Sequence, residues 1–156
     1  MQRDNKKRVV FVLSGYGRYA RGAERLVGTL AAGLTDRYDT AVLGAGDAVP
    51  RAEPLRFVDR HCALTRLVNR LPIVGHALRS LQIDPLNIEW MTCMAAARRR
   101  LLRSPCDLLV PEGGRWGGML GAWYRSRTGA PFVDIMHGAP SRWERAAARR
   151  RPDAWV

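Results

Sequence analysis

Three short stretches of the sequence carry residue types suited to chemistry. The first is a glycine-broken loop, residues 14–22, holding Ser14, Gly15, Gly17 and Gly22 between an apolar run that ends at Leu13 and a helical pattern that opens near Ala23. Glycines at such a junction let backbone N–H groups approach an anion at a helix N-terminus, where the dipole already favours negative charge. A phosphate-bearing ligand is the functional expectation, and a loop in which the glycines only make the turn is the structural one. The second stretch is Glu112, Gly113, Gly114 and Arg115, directly after the apolar run Leu108-Leu109-Val110. The third is His137-Gly138, closing the run of residues 132–136 and offering a titratable imidazole at a strand end.

Spacing argues against two familiar uses of these residues. Gly15, Gly17 and Ala20 match the G-x-G-x-x-A form of a dinucleotide loop, but Ala20 precedes the helical stripe. The acidic residue expected after the second strand is replaced by Gly44-Ala45-Gly46, with Asp47 arriving late. A hydrolase built on Ser14, Asp134 and His137 needs glycines two residues either side of the serine, where Val12 and Tyr16 stand. Cys62, Cys93 and Cys106 are odd in number and lack metal-ligand spacing, so neither a disulfide framework nor a zinc site is expected, and no metal is assigned.

The elements that must position these loops follow from hydrophobic periodicity. Val9 to Leu13 is apolar at every position, the pattern of a strand covered on both faces. Ala23, Leu26, Val27, Leu30, Ala31 and Leu34 recur at steps of three and four, predicting one face of a helix. Further strands are expected at residues 38–43, 55–58, 107–111, 132–136 and from 153. Helices are expected from Pro85, with Leu86, Trp90, Met94, Ala97 and Leu101 inward, and around Trp116, Met119, Leu120 and Trp123. Ser141 and Glu144 form a capping box for a last helix, which Pro152 stops. Strands alternating with helices give an α/β domain with an open, mostly parallel, Rossmann-like sheet. Ligands bind such sheets at the carboxyl ends of the strands, which gathers residues 14–22, 112–115 and His137-Gly138 along one rim.

The 156 residues suit one domain, and hydrophobic residues at 47% and charged residues at 26% are ordinary. The net charge of +12 is not, and nearly all of it is arginine, which fits nucleic acid, an anionic membrane surface or phosphorylated small molecules without choosing among them. Between residues 61 and 81, apolar side chains alternate with cations including Arg66, Arg70 and Arg79, a candidate contact with membrane or other anions that Pro72 and Gly75 divide in two. The N-terminal apolar run is shorter than a signal peptide's and far shorter than a membrane span, so a soluble, cytoplasmic protein is expected, with the inner membrane surface as a contact.

Several blocks together resemble GT-B glycosyltransferases of the family-four kind. They are the opening strand and glycine loop followed by Arg21-Gly22-Ala23-Glu24-Arg25, against the family's "GGAER"; Asp107 to Val110 running to Gly113-Gly114; Ala130 to Val133 running to His137-Gly138; and the close, Pro152-Asp153-Ala154-Trp155-Val156, against "ADAVIA". Residues 51–103 match least. The resemblance implies the N-terminal, acceptor-side domain of a retaining enzyme that moves a hexose from a nucleotide sugar to a lipid or glycan acceptor, with no metal or bound cofactor. It implies Gly15, Gly17 and Gly22 near the donor diphosphate, His137 on the donor sugar, and Arg18, Glu112, Gly113, Arg115 and Gly138 along the rim. Arg21 replaces the first paired glycine and Glu112 stands where relatives often carry His, departures that bear on donor geometry and acceptor choice. The family's nucleotide-binding half, with its E-x7-E stretch, is not in the sequence. A fragment, a truncated frame or one half of a split enzyme is therefore expected, inactive alone and partnered by that second domain on another chain.

The competing class is a non-enzymatic, arginine-rich module binding a membrane surface or nucleic acid. Trp90, Trp116, Trp123 and Trp143 fall on core-like helical stripes and not on a basic stacking platform, which counts against nucleic acid.

Overall fold

The computed structural model describes residues 6–46, 50–63, 65, 67, 84–135, 145, 149 and 152–155. His137, Gly138, Arg66, Arg70, Arg79 and the capping box of Ser141 and Glu144 lie outside them.

Strand β1 (Arg8–Val12) sits inside a parallel sheet of order β3-β2-β1-β4, with β2 (Asp39–Gly44) on one side and β4 (Leu108–Pro111) on the other. The short β3 (Ala52–Pro54) forms the outer edge beyond β2. Strands β5 (Val133–Asp134) and β6 (Ala154–Trp155) pair in parallel, and single bridges Leu109 to Phe132 and Glu112 to Ile135 attach β5 alongside β4. The expected α/β, Rossmann-like open sheet is the fold observed.

Alternation along β1 divides its side chains between two cores, because successive Cβ atoms point to opposite faces. Val9, Phe11 and Leu13 pack with Val27 and Ala31 of α1 (Gly22–Gly33). Val10 and Val12 pack with α2 (Pro85–Arg103) and α3 (Gly114–Thr128), on Cys93, Met94, Ala97, Leu101 and Tyr124. Each fully buried Val or Leu contributes roughly 1.5–3 kcal/mol, so this doubly covered strand anchors the domain. Asp84 caps α2, accepting from the N–H groups of Leu86 and Asn87 at 3.0 and 3.1 Å, and Pro85 takes the first turn as expected.

The structure corrects four details. The third strand is Ala52–Pro54, not residues 55–58; Leu55 and Phe57, which suggested it, instead pack as loop residues against the α2–α3 core. Leu26 is exposed, so the buried face of α1 is narrower than its apolar stripe. In α2 Met94, Ala97 and Leu101 are buried as expected, but Glu89 and Cys93 join them and Trp90 is only half-buried. In α3 Met119 is exposed, and the inward face is made by Gly117, Gly118, Leu120, Gly121 and Tyr124. A side chain at Gly121 would overlap the ring of Phe132, so glycine brings the helix close to the strand there.

Candidate functional site

Strand order reverses beside β1: the chain moves outward through β2 and β3, then returns to place β4 on the other flank. The carboxyl ends of β1 and β4 thus border the crevice where open α/β sheets bind ligands. Glu112 follows β4 directly, and its N–H donates to Val12 O at 2.7 Å, which seats it against the end of β1. Two residues past β1, Ser14 donates from both its backbone N–H and its hydroxyl to Glu112 Oε2, each at 3.2 Å. Both residues are buried, Ser14 at 1% and Glu112 at 9% exposure. Among the described residues Glu112 Oε1 accepts no hydrogen bond, and it is not among the fully buried polar atoms left without partners.

Burial pushes the Glu112 carboxyl up to about 7; the Ser14 hydrogen bonds oppose this, the charge of Glu24 adds to it, and Arg60 draws it back. Glu24 belongs to the first turn of α1, where the dipole favours an acid, and its carboxyl lies against the face of Gly15 that a side chain would occupy. Two carboxyl groups therefore flank the Ser14–Gly15 corner.

A second layer stands behind them. Glu89 is fully buried on α2 and takes the N–H and Nε of Arg60 on one oxygen, at 2.9 and 3.0 Å, while its other oxygen pairs with the Arg60 guanidinium terminus. Burial alone would raise Glu89, but the hydrogen bonds and charge of Arg60 outweigh it and hold Glu89 below its ordinary value. Two cations lie over the Tyr19 ring, Arg21 at 4.2 Å and Arg60 at 5.5 Å from its centre.

Beside the Ser14–Glu112 contact, the other expected residues that are described make local contacts of their own. Gly17 has φ +79°, and a Cβ there would lie 2.7 Å from Gly46 Cα, so this glycine packs one loop backbone against the next. Ala45 and Gly46 complete that junction by donating to Tyr16 O at 2.9 and 3.0 Å. Arg18 pairs with Asp59 at 2.7 Å. Gly113 precedes α3, and Arg115 lies over the Trp116 ring at 5.0 Å. Gly22 opens α1 with nothing within 4 Å of its Cβ position. Asp134 is fully buried in β5 near Gly113, its Oδ1 3.5 Å from the Cβ position there.

Sequence reasoning named Glu112 but missed its clasp with Ser14; it met Glu24 only within the Arg21–Arg25 block, without its approach to Gly15, and it missed the Arg60–Glu89 pair. Glu89 left a signal: it lies four residues before Cys93 and eight before Ala97, an acid on an otherwise apolar helical line. Arg60 left none, because its partner is 29 residues away.

Among the described residues no group of three His, Cys, Asp or Glu is arranged to hold a metal ion, and no helix is long and apolar enough to cross a membrane. No family model and no curated protein matches the chain.

Proposed function

We propose that this chain is the acceptor-side domain of a retaining hexosyltransferase of the GT-B kind, using a nucleotide sugar and a hydroxyl-bearing lipid or glycan acceptor. The observation that carries the reading is the Ser14-held Glu112 carboxyl at the switch point between β1 and β4, whose other oxygen accepts no hydrogen bond among the described residues. A carboxyl poised near neutrality can accept a hydrogen bond or a proton from an attacking hydroxyl. Glu24 covers the outer face of Gly15, so the donor diphosphate meets the backbone of residues 17–22 with Arg18 and Arg21 in support. By resemblance His137 contacts the donor sugar. The chemistry calls for no metal or bound cofactor, since the leaving diphosphate is stabilised by cations and helix N-termini from both walls of a two-domain cleft.

The chain alone is expected to bind a donor weakly and to turn over none. Titrating the 15N-labelled protein with UDP-glucose and GDP-mannose tests this. Saturable shifts confined to the amides of residues 14–22 and 112–115 support the reading. Absence of shifts there, or sugar transfer by the purified single chain, overturns it.

A further inference from the structure

Helices α2 and α3 run side by side in the same direction: Trp116 Nε1 donates to Asn87 Oδ1 at 3.1 Å near their starts, and Arg98 lies 4.5 Å from the Trp123 ring nearer their ends. Between them lies a groove of about 400 Å³ lined by Met91, Met94, Trp116, Met119, Leu120 and Trp123. Its floor, Met94 and Leu120, belongs to the core, while Met91 and Met119 are each 40% exposed on its walls. The apolar strip continues past Arg98 to Leu102, 54% exposed, because residues 91, 95, 98 and 102 share one helical line.

Among the described residues, the exposed charge on the two helices that form the groove has one sign. Across α2 and α3 the sole acid is Glu89, buried and tied to Arg60. Arg98, which lines the groove, and Arg99 beside it are exposed and have no acidic partner among the described residues. Met, Trp and Arg are the side chains that interface centres favour, and methionine adapts to irregular apolar partners. We propose that this groove docks an acidic amphipathic helix of a partner protein, its apolar face on the methionine and tryptophan walls and its carboxylates on Arg98, which lines the groove, and on the neighbouring Arg99.

Shape and charge select that occupant. A lipid surface takes protruding apolar side chains, whereas these line a furrow, and a guanidinium lies over the Trp123 ring. A second copy of the chain would bring another +12 against the first. From residue 91 to residue 102 the line spans roughly 16 Å, which matches about three turns of a partner helix. The proposal does not rest on the transferase reading.

The test titrates the full chain, 15N-labelled, with a fluorescent helical peptide of about 18 residues that carries leucines on one stripe and glutamates on both flanks. Saturable binding that shifts the Trp116 and Trp123 indole signals is expected. It should weaken roughly tenfold or more when the glutamates become lysines, and comparably in Met119→Glu and Arg98→Glu, both exposed sites that leave the fold intact by circular dichroism. Equal binding of a scrambled peptide, or undiminished binding by both variants, overturns the proposal. So does preference for phosphatidylglycerol vesicles over the peptide with loss of vesicle binding in Met119→Glu, which would make the groove a membrane contact.

Discussion

Ser14 commits both of its donors to one oxygen of Glu112, N–H and hydroxyl each at 3.2 Å, and so ties the ends of two neighbouring parallel strands across the crevice of the sheet. The clasp fixes the carboxyl without neutralising its cost, because Ser14 is uncharged and Arg60, whose charge acts on it, is already held by Glu89.

Stability should carry the mark of that cost. The folded protein keeps Glu112 protonated up to about pH 7, whereas an ordinary glutamate releases its proton near 4.5, so the folded state binds the extra proton in between. The contribution is fully present below the lower value and is lost as pH rises through the upper, a decline of order 3 kcal/mol. Glu112→Gln keeps an oxygen acceptor for Ser14 and removes the titration. Urea midpoints at several pH values should fall from acid to neutral in the native protein and fall much less in the variant. Parallel curves for the two proteins would refute the assignment.

Arg60 and Glu89 form a pair whose single deletions should be worse than its joint replacement. Arg60→Ala strands a fully buried carboxylate and should cost about 3–5 kcal/mol, while Arg60→Met with Glu89→Leu should recover most of that loss. A double-mutant cycle by denaturant unfolding reads the coupling directly. Additive losses would mean that Glu89 finds another partner when Arg60 is removed.

Glycines of the same loop should respond with opposite sign. Gly17→Ala combines a left-handed backbone with a 2.7 Å approach to Gly46 Cα and should destabilise by at least about 2 kcal/mol. Gly22→Ala enters open space at the first turn of α1 and should stabilise by about 0.5 kcal/mol through the unfolded chain. Thermal unfolding of both variants checks the pair, and equal effects would contradict the loop packing described.

The three thiols should separate by rate. Cys93 is fully buried and its pKa raised, first by burial and then by the charges of Glu112 and Glu89; Cys106 is buried and raised too, while Cys62 is partly exposed. A disulfide reagent at pH 8 should modify Cys62 first, with the other two reacting on the timescale of unfolding. Fast reaction of Cys93 would show that α2 lifts readily from the sheet.

Periodicity made much of the fold legible. The uninterrupted apolar run ending at Leu13 required cover on both faces, and the structure supplies α1 on one and α2 with α3 on the other. Pro85 marked the start of α2, since proline suits a first helical turn. Less legible was which side of each helix turns inward: α3 buries glycines and leaves Met119 outside, because close approach to Phe132 matters more there than apolar area. The third strand was misplaced for a related reason, as three residues of edge strand carry too little pattern to compete with the apolar Leu55 and Phe57 beside them.

By itself the sequence determined the α/β class, the parallel sheet and the rim on which Gly15, Gly17, Glu112 and Gly113 meet, because backbone periodicity and glycine placement are local properties. Tertiary structure alone decided what those residues face. The Ser14–Glu112 clasp spans 98 positions and the Arg60–Glu89 pair spans 29, and Glu24 reaches Gly15 only because α1 folds back beside the loop. A carboxyl's charge state depends on how deeply it is buried and on which charges stand near it, and both are set when distant segments pack together.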